Sequence, residues 1–236
     1  MRAAVAHEAV PRGGATPRGE RSPTLVLRAL GRVGYAEAWE AMRAFTERRD
    51  ADTPDEVWLL EHPPVFTLGQ AGRIEHLLDP GPVPVIVTDR GGQVTYHGPG
   101  QLVAYVLVDL GRQRLGVRGF VEALEQAVID TLAEAQVQAA RRPGAPGVYV
   151  GGRKVAALGL RVRRGCTYHG LALNVDVDLE PFRRIDPCGY PGLEVTRLRD
   201  LGMGWSLEET GERLYRVLAA RLGRLGAVSA CETPSG

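Results

Sequence analysis

The sequence predicts a single domain of α+β class. Segments of strand character come in adjacent groups, without the regular strand–helix–strand alternation of a doubly wound sheet. Helical periodicity is confined to three stretches, at 35–49, 117–138 and from 206 onward. A chain of 236 residues that is 44% hydrophobic can bury one sizeable core. The domain is expected over 24–228, between tails at 1–23 and 229–236.

Residues 1–23 mix Pro, Gly and Arg without periodicity and read as a flexible tail. TLVLRALG, from Thr24, reads as a strand, and YAEAWEAMRAFTERR as a helix with Ala38, Met42 and Phe45 on one face. DEVWLLEH reads as a strand stopped by Pro63 and Pro64, with VFTLG a second extended piece. VPVIVTDRGG supplies another strand, and QLVAYVLVDL is among the richest runs in β-formers. Between them RGGQVTYHGPG, at 90–100, holds four glycines and a proline in eleven residues and reads as a loop. The longest helix carries Phe120, Leu124, Val128 and Leu132 at every fourth position and ends at the breakers of RRPGAP. Three strands follow in GVYVGG, RKVAALGLRVRRG and TYHGLALNVDV. The last helix opens at Ser206, with Glu209 at capping-box spacing, and turns Leu214, Val217, Leu218 and Leu222 inward.

A net charge of +1 gives no global field that calls for nucleic acid or an anionic membrane. No apolar run approaches the roughly 18 residues of a membrane span, and no apolar signal core opens the chain. A cytoplasmic monomer is expected. Cys166, Cys188 and Cys231 form no CxxC pair, which argues against a disulfide framework and leaves thiol chemistry open.

Lys154, in GGRKVAALGL, is the only lysine; every other basic side chain is arginine. An arginine holds its proton, whereas a lysine amine can be desolvated and exchange protons. Strand alternation places position 154 on one face with Ala156, Leu158, Leu160 and Val162. That pattern fits a partly desolvated amine, and equally a strand-end lysine whose stem packs while its head reaches water. Cys188, in RRIDPCGYPG, lies among turn residues, so its thiol is expected on a loop. A free thiol is only about 3% thiolate at pH 7, so a nucleophilic cysteine needs a base or cation nearby. His62, His97, His169 and Lys154 are the candidates, and spacing does not choose among them. Cys166, His169, Cys188 and His97 could make a Cys2His2 zinc set, but residues three apart on a strand face opposite sides, so no metal is expected. The glycine loop lacks the Gly-Lys-Ser/Thr and the following helix of a phosphate-binding P-loop.

The stretches RGGQVTYHGPGQLVAY, GVYVGGRKVAALGLRV, HGLALNV and IDPCGYPGLEVT together resemble the lipoyl(octanoyl) transferases, in the family's order and spacing, with likeness from about Leu25 to Leu225. The resemblance implies the fold of biotin and lipoate protein ligase catalytic domains, a mixed sheet with flanking helices. It implies a dyad in which Cys188 holds the acyl thioester and Lys154 poises the thiol. It further implies an acyl and phosphopantetheine site lined by Arg90, Gly91, Gly92, Gln93, Val94, Thr95, Tyr96 and His97, by Ala157, Leu158 and Gly159, and by Gly170, Leu171 and Ala172. The implied partners are octanoyl-acyl carrier protein and the lipoyl domains of 2-oxoacid dehydrogenase E2 subunits and of glycine cleavage H protein, with no cofactor. Arg197 departs from the small residue more usual after Val-Thr. Backbone N–H groups near Gly92, Gly159 or Gly189 are candidate oxyanion donors. The alternatives are an ATP-dependent lipoate or biotin ligase on the same fold, a non-catalytic acyl- or cofactor-binding module, and a zinc-organised interaction protein.

Overall fold

Thr24–Arg32 forms strand β1, and helix α1 (Tyr35–Arg48) returns the chain so that β2 (Asp55–Glu61) lies parallel to it. The computed structural model describes residues 24–222, with Thr24 and Cys188 described by their backbone alone, and the backbone of 224–228; both expected tails lie outside the described residues. Helix α1 buries Ala38, Met42 and Phe45, the stripe visible in its spacing. Beyond Pro63 and Pro64, β3 (Val65–Leu68) leaves the main sheet and pairs with β4 (Val85–Val87) and β5 (Val94–His97) in a small sheet ordered β4-β3-β5. Strand β5 corrects the loop expected across 90–100. Its Val, Thr and Tyr favour extended backbone and find partners along β3, while the flanking glycines dominate the sequence pattern.

From β6 (Gln101–Leu107) the chain passes through a one-turn helix, α2 (Leu110–Gln113), into α3 (Val117–Ala133). Phe120, Leu124, Val128 and Leu132 of α3 are fully buried. Strands β7 (Ala140–Arg141), β8 (Val148–Val150), β9 (Arg153–Arg163) and β10 (Cys166–Asn174) follow. Helix α4 (Leu207–Leu222) begins with Ser206 Oγ accepting from the Glu209 N–H at 3.0 Å, and β11 (Arg224–Val228) returns beside β1. The main sheet is mixed: its order is β11-β1-β2-β6-β10-β9-β8-β7, parallel across β11, β1 and β2 and antiparallel beyond.

Two apolar layers sandwich this sheet. Val57, Leu59, Ala104, Val106, Leu171 and Leu173 pack with residues of α3 and α4, whereas Trp58, Leu60, Val103, Tyr105 and Tyr168 pack with residues of α1. The two-residue repeat of β2 and β6 thus serves both cores, so these strands read as continuous hydrophobic runs. Gly170 marks the tightest backbone approach between β10 and β6: a Cβ there would lie 2.0 Å from Ala104 O. Gly170→Ala is expected to cost about 3 kcal/mol, seen as a lowered denaturant midpoint at unchanged m-value.

Candidate active site

A cleft of about 480 Å³, its open mouth included, lies where β5 and the loop before it face β6, β9 and β10. The loop is fixed to β9 by the Gly91 N–H, which donates to Leu160 O at 2.8 Å. A Cβ on Gly159 would lie 2.9 Å from Gly91 O, so this contact requires glycine. Arg90, 7% exposed, donates through Nη2 to Thr67 O at 2.7 Å and to Thr67 Oγ1 at 2.8 Å. Residues 90–97 border the cleft apart from Gly91 and Tyr96, as do 157–159 and 170–172. Alternation along β5 turns Tyr96 away to pack on Phe66 and Phe182. The wall also holds Tyr35, Val103, Tyr105 and His169, of which only His169 is among the residues singled out in the sequence.

Apart from the Arg90 guanidinium, which is tied to Thr67, the histidines and tyrosines in and beneath the cleft are held uncharged. Burial brings His62 down to about 4, although its Nδ1–H donates to Val33 O; in the neutral ring Nε2 then accepts from the Tyr105 hydroxyl. Burial, helped by His62 and Arg90, holds His97 well below the ordinary range, and burial lowers His169 despite the adjacent Asp89 carboxylate. Tyr35 and Tyr105 are pushed up by burial. Asp89, whose burial alone would raise it, is instead lowered by hydrogen bonds from His169, Tyr168 and Trp39. Neutral imidazoles and un-ionised phenols suit an uncharged ligand such as an alkyl chain.

These histidines couple stability to pH. His62 is neutral when folded and, with a folded value near 4 against 6.5 when unfolded, contributes fully above pH 6.5 and less as pH falls through 4. The contribution is about 3 kcal/mol, and His97 and His169 are lowered in the same sense. Denaturant titrations from pH 7 to 4 should show a steep loss, shallower in His62→Gln.

Lys154 is 3% exposed. Its Nζ donates to Pro146 O at 3.0 Å and lies 5.3 Å from the centre of the Tyr149 ring. Gly147, at φ +140°, leaves room for this stem, since a Cβ there would lie 2.9 Å from Lys154 Cε. Glu125 of α3 fixes that loop by accepting from the Gly147 N–H at 2.8 Å. The face expected for Lys154 needs correction. The β8–β9 register shifts between Val148 and Tyr149, and both Val155 and Ala156 pack in the α3–α4 core, so alternation breaks beside Lys154.

The peptide groups of Lys154 are held by a parallel bridge to the segment that follows Cys188. Its N–H donates to Glu194 O and its O accepts from the Thr196 N–H, both at 2.9 Å. Cys188 itself lies in the 3-10 turn Pro187–Gly189, which packs on β5. A Cβ on Gly189 would lie 3.3 Å from the Gln93 side chain and from His76 Nε2, so the turn borders the glycine loop at Gln93. The Gly189 N–H donates to Asp186 O at 2.9 Å and so is engaged within the turn. One continuous stretch therefore leaves the cleft rim at the cysteine turn and pairs with Lys154 seven residues later. Cys166, by contrast, is buried in β10, and burial pushes its thiol up. Cys231 lies outside the described residues. His169 has φ +63°, so the simple alternation between Cys166 and His169 fails locally. Even so, the described residues contain no group of three or more His, Cys, Asp or Glu placed to hold a metal. No described helix is long and apolar enough to cross a membrane.

The family model for the lipoyl protein ligase A/B catalytic domain matches residues 34–219. An octanoyltransferase of Alkalilimnicola ehrlichii is 67% identical over 177 residues, 75% of this chain and 82% of the relative. One of Thiobacillus denitrificans is 64% identical over 201 residues, 85% of this chain and 92% of the relative. Among solved structures, the bipartite lipoate protein ligase of Thermoplasma acidophilum superposes with a TM-score of 0.73 at 16% identity, covering 89% of this chain and 88% of that one. At that identity the likeness speaks to fold, and it agrees with the mixed sheet and flanking helices. By its family model and its high identity along most of the length of these relatives, the chain belongs to the octanoyltransferase family.

Proposed function

We propose that this octanoyltransferase works through a thioester on Cys188, with Lys154 as its proton partner. The observation that carries the reading is the segment running from the cysteine turn beside Gln93 to the bridge with Lys154. The donor is octanoyl-acyl carrier protein. The acceptors are the lipoyl-domain lysines of 2-oxoacid dehydrogenase E2 subunits and of glycine cleavage H protein, met in the cytoplasm by a monomer.

The Cys188 thiolate attacks the carrier thioester carbonyl, and the carbon–sulfur bond to the carrier breaks. The departing carrier thiolate takes its proton from the Lys154 ammonium. One thioester replaces another at nearly equal energy, so the step needs no ATP. The acceptor amine then attacks the Cys188 thioester, the new bond becomes an amide, and the proton lost by the amine returns to Lys154. The cleft receives the alkyl chain. A free-acid ligase on this fold is disfavoured by the octanoyltransferase relatives, which reach 67% identity.

The decisive assay mixes octanoyl carrier protein, a lipoyl domain and this protein without nucleotide. A mass gain of one octanoyl group on the domain lysine is expected. Modification that depends on ATP and free octanoate, with none from the carrier, would overturn the reading.

A further inference from the structure

A run of buried amides joins the cleft wall to the backbone beside Lys154. His97 Nδ1 and Gln101 Oε1 are 2.7 Å apart, and Gln101 Nε2 donates to Tyr96 O at 3.2 Å and to Asn174 Oδ1 at 3.0 Å. Asn174 Nδ2 donates to Thr196 O at 3.0 Å, and the Thr196 N–H donates to Lys154 O at 2.9 Å. None of His97, Gln101, Asn174 and Thr196 is more than 7% exposed.

The run has a single polarity. Thr196 O can only accept, so Asn174 turns its amide nitrogen there and its oxygen to Gln101. Gln101 must then offer nitrogen to Asn174 and oxygen to His97. The proton of a neutral His97 therefore sits on Nδ1, and its Nε2 is left as an acceptor at the cleft wall. Reversing either amide would set donor against donor or oxygen against oxygen in a buried site. Each amide also satisfies a buried backbone carbonyl, Gln101 that of Tyr96 and Asn174 that of Thr196, so the run ties the cleft wall to the backbone beside Lys154.

We propose that Gln101 and Asn174 are positioning residues for acyl transfer, holding the strand partner of Lys154 in register with the cleft wall and fixing the tautomer of His97. The proposal rests on the reading of Lys154 as the proton partner. Misplacing a reacting group by about 1 Å can cost about a hundredfold in rate. Asn174→Leu should lower kcat by about tenfold to a hundredfold with the KM for octanoyl carrier protein little changed.

Asn174→Asp is the sharper variant. A protonated carboxyl can donate to Thr196 O while accepting from Gln101, but an ionised one cannot donate. Its kcat relative to the unmodified protein should therefore rise as pH falls through its titration. Ionisable groups on the surrounding elements are His97 on β5, Lys154 on β9, Glu61 beside the Gly100 N–H, and the Arg199–Asp176 pair at the end of β10. Histidine 15N spectra of the full chain should show His97 protonated on Nδ1 alone, and Gln101→Leu should mix the tautomers while Gln101→Glu restores Nδ1–H. Nε2–H at His97 in the unmodified protein, or an Asn174→Asp whose relative kcat ignores pH, would overturn the proposal. Full turnover by a Lys154 variant would instead sink the reading beneath it and leave the tautomer result standing, so the two failures are distinguishable.

Discussion

Cys188→Ser is expected to abolish the covalent octanoyl adduct and to lower turnover about 10³-fold or more, whereas Cys166→Ser retains both. A drop of that size corresponds to about 4 kcal/mol of lost transition-state stabilisation. The reason lies in the atom replaced. A hydroxyl gives far less anion near neutral pH than a thiol, and an alkoxide leaves an ester less readily than a thiolate leaves a thioester. Cys166 offers no substitute. It is buried in β10, its thiol is shifted away from ionisation, and its Sγ is directed at Arg164 O at 3.8 Å. Cys231→Ser is expected to behave like Cys166→Ser. Intact-mass spectra after incubation with octanoyl carrier protein check the set, and an octanoyl adduct found on Cys166 would overturn the assignment.

Much of the architecture was legible because local pattern and tertiary demand agree. Ala38, Met42 and Phe45 on α1, and the every-fourth-residue stripe of α3, bury the faces their spacing indicates. Strand β5 escaped because its four residues are fewer than the glycines and proline around them, and its extended form depends on β3 as a partner. Which side chains share the cleft was less accessible. Tyr35 opens α1, Tyr105 lies on β6 and His169 on β10, and no spacing rule joins elements so far apart in the chain. Tyr96 shows the converse: it belongs to the motif in sequence, but the pleat of β5 sends it into a separate apolar cluster with Phe66 and Phe182.

The surroundings of Lys154 were legible only in part. Alternation left open whether the Lys154 amine is desolvated or reaches water, and in the fold the residue is buried. The bulge against β8 could not be read, because it arises from pairing register and not from the composition of β9. The Asn174 and Gln101 contacts were hidden for the same reason, since they join the ends of two neighbouring strands to a segment beyond residue 190.

Lys154→Arg is expected to lose about 10²-fold or more in acyl transfer while keeping a reactive Cys188. Arginine supplies the cation that stabilises a thiolate, and its guanidinium can donate to Pro146 O as Lys154 Nζ does. It cannot give up and regain a proton at neutral pH, so the carrier thiolate loses its proton source and the acceptor amine loses its base. The side chain is also longer, and crowding in the small space over Gly147 could mimic a chemical defect. Two controls separate these causes. Alkylation of Cys188 by iodoacetamide, followed against pH, reports thiolate directly: Lys154→Arg should retain most of the low-pH reactivity and Lys154→Gln should lose it. Accumulation of acyl-enzyme in a single turnover reports the second half-reaction, where Lys154→Arg should stall with octanoyl still on the cysteine. Undiminished turnover in Lys154→Arg would mean that charge alone suffices and that proton exchange at position 154 has no part in the transfer.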